Sequence, residues 1–426
     1  MATLDRALAN DMRSSGPGDT GPGSVSPSPR GGSRLAVGII FATILIDFIG
    51  YSILIPVLPH FVRSLGIDAF GIGLITALYA LGLVLFLPLW GWVSDRIGRR
   101  PVILVSLLGT AVSFVVLAIA HNLGTVLAAR FFGGFFGASI GTAQAAITDL
   151  TDEHSRAQGM GVIGAASGIG LVLGTALGGV LGAIDPALPF YATAGVAAAN
   201  FLLAAWVLPE SKGAVRAKSG WREFARSIVP APFWIAARTQ DGSQRLYLFL
   251  FLHIFFAFSV IEAMFPLFAA SRFGWGELET GLYMAAVCIV LGGTQGLVVG
   301  PLSREWGERA MTAVGFGVTG MSIAGLALCH SIGALTVCSL GVAFGAGIAF
   351  PAFTSLFSKL ADADEAGAAM SRSQAMVHTG RALGALCWGW VFATAGAGAP
   401  FYAAGAALIA ALGVFLVAPR VLLPQS

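Results

Sequence analysis

The chain has 426 residues, of which 56% are hydrophobic and only 11% are charged. Its mean hydropathy of +0.83 and its 57 glycines exclude an ordinary soluble domain, whose surface carries far more charge. The formal net charge of +3 gives no reason to invoke a nucleic acid as a partner. These properties predict an all-α membrane protein that crosses the bilayer many times.

Apolar runs follow one another from residue 35 to residue 419. A helix needs about 20 predominantly apolar residues to cross a bilayer, and twelve runs reach that length within a few residues. The first run exceeds the apolar region of a signal peptide, so we keep it as a helix. The predicted spans are 35–62, 70–94, 101–121, 124–149, 157–183, 188–208, 246–271, 277–302, 310–330, 332–358, 373–395 and 399–419.

The segments outside the spans predict the orientation of the chain. Residues 1–34 are rich in Gly, Ser and Pro, which predicts a disordered cytoplasmic tail. Residues 209–245 mix basic and aromatic side chains, as expected of a cytoplasmic linker lying on an anionic inner leaflet. Twenty of the 24 lysines and arginines lie on one side of the predicted spans. This bias predicts that both termini, including the tail 420–426, lie in the cytoplasm. The membrane predicted to hold the protein is the inner (plasma) membrane.

The sequence repeats itself after about 209 residues, as three pairs of segments with offsets of 208 to 210 show. Such a repeat predicts two pseudo-symmetric six-helix halves, 35–208 and 246–419, joined by the linker, with the substrate path between them. The pairs are 91–100 with 300–309, 137–140 with 345–348, and 170–174 with 380–384.

A polar turn, GWVSDRIGRRP at Gly91–Pro101, separates the second and third spans. Its glycines permit close backbone approach, and its arginines hold the turn in the cytoplasm. The pattern G-x-x-x-D-R-x-G-R-R resembles the signature that the major facilitator superfamily carries between its second and third helices. That resemblance implies a gating loop, whose residues are Gly91, Asp95, Arg96, Gly98, Arg99 and Arg100.

Two acids, Asp47 and Glu262, lie well inside predicted spans. A charge there costs ~3 kcal/mol on insertion scales and normally faces a cavity or a partner. Because burial raises a carboxyl's affinity for protons and a nearby cation lowers it, both acids are candidates for proton coupling. The alternative role of each is a structural hydrogen bond. His253 is about half a helical turn out of phase with Glu262, so we do not expect those two side chains to pair.

Glycine patterns in the fourth and fifth spans resemble motifs of the drug/proton antiporters. R-x-x-x-G-x-x-G begins at Arg130, and the resemblance makes this arginine a third proton-coupling candidate, with helix packing as the alternative. GIGLVLGTALGG at 168–179 resembles the fifth-helix motif, although Thr175 stands where proline is expected. The matching antiporter-type glycines are Gly170, Gly174, Gly178 and Gly179.

From Ile44 onward the chain looks like the drug/proton antiporter branch, and its first half most resembles the tetracycline/proton antiporters. The resemblance assigns Asp149 as the acid that pairs with the gating turn and Gln295 as a substrate-pocket glutamine. The sequence departs from the antiporter pattern at Ser113 and Thr319, where those antiporters have pocket acids, and at Leu291, where they have a histidine. These departures argue against tetracycline itself as the substrate.

The remaining pocket candidates are aromatic: Tyr51, Tyr79, Phe258, Phe265 and Trp388. A mostly apolar cavity with one or two acids suits lipophilic compounds, although aromatics at helical spacing also serve packing or face lipid. The prediction is proton-coupled efflux of lipophilic small molecules or drugs by a monomer working through alternating access.

Other function classes have weaker support in the sequence. A transporter of a polar metabolite, such as a sugar or an amino acid, is the main alternative. An enzyme would need a nucleophile with a base, or a metal cluster, at membrane depth, and the sequence suggests neither. We therefore expect no catalytic activity, no cofactor and no metal site. A sensor would need an output domain, and no sizeable soluble segment is present.

Overall fold

The computed structural model describes residues 30–137, 156–208, 241–360 and 366–417. Within these ranges the regular structure is helical. The helices are α1 (Arg30–Ser52), α2 (Leu54–Ser64), α3 (Ala69–Ile97), α4 (Arg99–Ala118), α5 (Leu123–Phe136), α6 (Arg156–Gly182), α7 (Leu188–Val207), α8 (Gly242–Phe273), α9 (Glu277–Gly293), α10 (Val299–Leu326), α11 (Ile332–Ser358), α12 (Ala366–Ala395) and α13 (Ala399–Val417), with a π-helical segment at Thr294–Val298.

Nine segments of the described ranges are long and apolar enough to cross a membrane. The longest, Glu277–Leu326, has 50 residues, and at 1.5 Å per residue it exceeds twice the ~30 Å thickness of the hydrocarbon core. It bends at Gly307, where φ is 72°, and it covers the predicted span 277–302 and most of the predicted span 310–330. The fourth predicted span extends beyond residue 137 into undescribed residues, and the count of twelve stays a prediction.

Short polar side chains begin several of the helices where the apolar runs are interrupted. Asp68 accepts a hydrogen bond from the backbone N–H of Gly71 at 2.9 Å. Asn122 does the same for Thr125 at 2.9 Å, and Ser331 for Ala334 at 3.2 Å. Each cap satisfies one of the N–H groups that the first turn of a helix leaves unpaired. The starts of α3, α5 and α11 therefore follow from local sequence.

The repeat in the sequence has a counterpart in the backbone. Gly98 and Gly307, which are 209 residues apart, both have positive φ, at 100° and 72°. Only glycine adopts this region readily, so each polar turn needs its glycine for conformation. At Gly91, no described atom of a neighbouring element lies within 4 Å of a Cβ built there, and its close approach stays a prediction.

Helix packing repeats as well. A Cβ on Gly174 would overlap the hydroxyl of Ser52, and a Cβ on Gly384 would overlap that of Ser259. The first span of each half therefore packs against the fifth span of that half, α1 against α6 and α8 against α12, through the same glycine–serine contact. We use "first half" for α1–α7 and "second half" for α8–α13.

The two halves meet at one end of the bundle through glycines. A Cβ on Gly389 would lie 3.2 Å from the Cα of Gly73, and one on Gly179 would lie 2.9 Å from the Cα of Gly281. Gly73 and Gly281 lie near the starts of α3 and α9, and their partners lie near the ends of α12 and α6. This end, which we call the closed end, is opposite to the turn at Gly98. Backbones that approach so closely leave no passage between these helices.

Candidate functional site

Glu262 is held between the two halves by two polar partners. Its Oε2 accepts a hydrogen bond of 2.7 Å from the hydroxyl of Tyr51, on α1. Its Oε1 lies 3.0 Å from the guanidinium of Arg381, on α12. The Glu262 and Arg381 side chains are 13% and 24% exposed. An opposite charge at this distance offsets the cost of placing each ion inside the bundle. We call these three residues the central cluster.

Tyr51 lies at the junction of α1 and α2, within the first span. Helix α1 ends at Ser52 and α2 begins at Leu54. Pro56 and Pro59 follow at once, and proline can supply no N–H to a helix interior. The Arg381 guanidinium then lies 5.5 Å from the Tyr51 ring centroid and 5.3 Å from that of Phe255. Both distances are within the range of a cation–π interaction, which helps to fix the charge in place.

Arg130 is the second basic residue of the site. It is 7% exposed, and its guanidinium lies 4.1 Å from the centroid of the Tyr79 ring. Its Nε is buried without a hydrogen-bond partner. The Asp47 carboxylate lines the same cavity, but no ion pair joins it to Arg130 among the described residues. The rings of Tyr79 and Tyr51 are 6.2 Å apart, so the two tyrosines connect Arg130 to Glu262.

Two small cavities adjoin these residues. The first is lined by Asp47, Tyr51, Tyr79, Ser113 and Arg130, among others, and the second by Tyr51, Arg130 and Glu262 together with apolar side chains. Each has a volume of about 30 Å³, whereas sites for drug-sized ligands occupy about 300–1,000 Å³. A larger ligand therefore requires the helices around the tyrosines to separate.

Hydroxyl groups stand at the two positions where the resemblance led us to look for acids. Ser113 donates to the carbonyl of Gly109 at 2.8 Å, and Thr319 donates to that of Gly315 at 2.7 Å. Both side chains are buried, and both satisfy their hydrogen bonds within their own helices. Neither position carries a charge that a substrate could use.

Four of the predicted pocket residues lie away from both cavities. Trp388 is buried and donates to the carbonyl of Phe256 at 2.8 Å. Phe265 stacks on Tyr283 with ring centroids 5.8 Å apart. The remaining two are Phe258, whose ring packs edge-on against Phe350 at 5.2 Å, and Gln295, which is exposed on the π-helical segment. In this closed arrangement the three aromatics contribute packing.

The arginines of the gating turn contact groups nearby. The guanidinium of Arg96 lies 3.8 Å from the centroid of the Trp92 ring. Arg99 donates to the hydroxyl of Ser94, and Arg100 to a backbone carbonyl of α7. The backbone of Asp95 belongs to α3. Asp149 lies outside the described residues.

The antiporter-type glycines form tight contacts along α6 with two neighbouring helices. A Cβ on Gly170 would lie 2.8 Å from the carbonyl oxygen of Leu45, and one on Gly178 would lie 2.5 Å from that of Ile53. Gly174 and Gly179 make the contacts with Ser52 and with the second half described above. The glycines therefore pack α6 against the first span and against α9.

The partner of Glu262 was not predicted. Arg381 lies inside the predicted span 373–395, and a basic residue at membrane depth is itself a signal of function. That signal could have identified Arg381 as a site residue, although the 119 residues between it and Glu262 hide the pairing. His253 contacts Phe249, with ring centroids 4.6 Å apart, and does not contact the acid.

Comparison with known proteins identifies the family of this chain. The sequence profile of the Major Facilitator Superfamily matches residues 40–371 and 296–425. The chain is 31% identical to the class C tetracycline resistance protein of Escherichia coli over 342 residues, covering 79% of this chain and 84% of that one. It is 28% identical to the human major facilitator superfamily domain-containing protein 10 over 415 residues, covering 86% and 90%.

Solved structures agree on the fold. The crystal structure of the human organic anion transporter MFSD10 (TETRAN) matches with a TM-score of 0.70 at 25% identity, covering 90% of this chain and 99% of that one. The nucleoside transporter NupG matches with a TM-score of 0.72, covering 89% and 99%. At 14% identity, the likeness to NupG concerns the fold alone.

Proposed function

The chain belongs to the Major Facilitator Superfamily of transporters, and from that premise we propose that it exports lipophilic small molecules in exchange for protons. The observation that carries this proposal is the central cluster, in which an acid that can take up a proton joins the two halves. Glu262 is the proposed proton carrier, and Asp47 and Arg130 are further candidates on the proton path.

Obligatory exchange follows from the contacts of Glu262. When ionised, Glu262 holds Tyr51 of the first half and Arg381 of the second, and this joins the halves in the closed-end arrangement. An empty, deprotonated carrier is thereby kept from changing conformation. Either a proton on Glu262 or a substrate that separates the two tyrosines removes the hold, because each abolishes the charge-assisted hydrogen bond. Only loaded carriers then switch, as exchange requires.

The excess of basic residues on the side of the bundle that carries the turn at Gly98 supports placing the closed end on the outer side of the inner membrane, with both termini in the cytoplasm. In the opposite state, Asp95, Arg96 and Asp149 are proposed to close the cytoplasmic end. We further propose that the two six-helix halves move as units in a monomer and that residues 209–245 contact anionic lipid.

The surroundings of the site support a lipophilic substrate. Apolar residues, including Leu54, Ile55 and Leu58, line much of the second cavity. The neutral hydroxyls at Ser113 and Thr319 support a substrate other than tetracycline. An apolar wall with few polar groups selects compounds by size and lipophilicity more than by a pattern of hydrogen bonds.

Inside-out membrane vesicles with an acidified interior and a pH-sensitive dye test the proposal. We expect at least one lipophilic compound of a panel of antibiotics, lipophilic cations and sugars to alkalinise the interior. Glu262→Gln should abolish that response because the amide cannot bind a proton. The matched control is Glu305→Gln, at an exposed acid in the turn before Gly307. Undiminished proton release from Glu262→Gln would refute the assignment, and a response only to sugars or amino acids would support the polar-metabolite alternative.

A further inference from the structure

Arg130 differs from every other charged side chain that lines the two cavities. Glu262 is occupied by Tyr51 and Arg381, and Asp47 already interacts with a neighbouring group. Arg130, at 7% exposure, lies over the face of the Tyr79 ring, and its Nε has no hydrogen-bond partner. Burying one of its five N–H donors without a partner is costly, so the site suits a group that can accept hydrogen bonds from the guanidinium.

The position of Arg130 suits a ligand better than a structural partner. It lines both cavities, and Tyr51 is the other residue that does so. A group bound to Arg130 therefore lies beside the Tyr79 and Tyr51 rings, whose centroids are 6.2 Å apart. The two rings are tilted by 34° to each other, and a planar group that enters once they separate can pack against both. The guanidinium fork matches a carboxylate in shape and charge.

We propose that Arg130 binds the acidic group of the transported compound, and that this compound is an aromatic or similarly flat lipophile bearing a carboxylate. The inference rests on the proposed function, since it names the substrate class of the same site. The acidic group pairs with Arg130, and the ring enters between Tyr79 and Tyr51. Tyr51 then moves away from Glu262, so binding of the acid breaks the contact that holds the halves together. This substrate-binding role replaces the place on the proton path considered for Arg130 above, and it is separate from the proton-carrying role of Glu262.

Equilibrium binding to the purified full chain in lipid nanodiscs tests the proposal. The probes are 2-naphthoate, anthracene-2-carboxylate and biphenyl-4-carboxylate, each compared with its uncharged amide, and empty nanodiscs provide the background. We expect at least one acid to bind wild-type protein tenfold or more tightly than its amide. Arg130→Gln should reduce that preference to less than twofold, because glutamine keeps the polarity and loses the charge.

Arg304→Gln removes an equivalent charge at an exposed position and should leave the preference unchanged. Failure of all three acids to bind, equal binding of acid and amide, or a preference that survives Arg130→Gln would each overturn the proposal. The binding measurement involves no proton gradient and is therefore independent of proton exchange. If wild-type protein preferred the acid in nanodiscs but released no protons in vesicles, proton exchange would be refuted and the role of Arg130 would stand.

A photochemical label on wild-type protein keeps the proposal testable if Arg130→Gln fails to fold. Benzophenone-4-carboxylate should label peptides that contain Tyr51, Tyr79 or Arg130, and 2-naphthoate should compete with it while 2-naphthamide should not. Labelling confined to other peptides would overturn the assignment.

Discussion

Tyr51→Phe removes one oxygen atom and, with it, the hydrogen bond that joins the first half to Glu262 at 2.7 Å. A hydrogen bond to a charged group contributes about 1.5–3 kcal/mol. If this bond exists only while the end opposite to Gly98 is closed, its loss shifts the equilibrium toward the open state about 10- to 150-fold. An open state populated at about 1% would then rise to between about 10% and 60%.

Pulsed electron–electron resonance between two spin labels measures that population directly. Phe70, at the start of α3, and Thr394, at the end of α12, are exposed positions on either side of the closed end. The labels are introduced after replacing the four native cysteines. Tyr51→Phe should increase the fraction of long distances, because less free energy then holds the halves together.

The matched control for this measurement is Tyr79→Phe. It removes a hydroxyl from the neighbouring ring and keeps the aromatic face that Arg130 contacts at 4.1 Å. Its distance distribution should match that of the wild type. If Tyr51→Phe also left the distribution unchanged, the hydrogen bond would not join the halves, and the explanation of obligatory exchange given above would fail.

Two further predictions concern the ends of the bundle. Gly73→Ala places a methyl group on the carbonyl of Ala385 and, with an overpacking cost of about 1–3 kcal/mol, should favour the open state about 5- to 150-fold in the same spin-label measurement. Gly195→Ala, where no described atom lies within 4 Å of the added carbon, should leave the population of the open state unchanged. Equal effects of Gly73→Ala and Gly195→Ala would refute the close contact at Gly73. Asp95→Asn should slow transport in vesicles at least about tenfold, as expected for a lost charge-assisted contact, while the protein remains in the membrane; an unchanged rate would remove Asp95 from the gate.

The sequence predicted the helices and the repeat because both depend on local information. Apolar composition and length define the spans, and short polar side chains such as Asp68 and Asn122 fix where helices begin. The conformation required at Gly98 and Gly307 is also local, since positive φ favours glycine wherever a chain turns in this way. The positions of Glu262 and Asp47 in apolar runs were likewise visible without a structure.

Tertiary structure decided which of those residues meet. Arg381 and Tyr51 are 119 and 211 residues from Glu262, and no periodicity relates them. The packing of helices selects the contacting faces, and it places Trp388 and Phe265 in the core while Tyr79 lines a cavity. The same packing places Arg130 over a tyrosine ring and leaves its Nε unpaired. By itself the sequence determined the family and the membrane-embedded acids, and only the packed bundle showed that Glu262 meets Arg381 and Tyr51, because that depends on side chains brought together from distant helices.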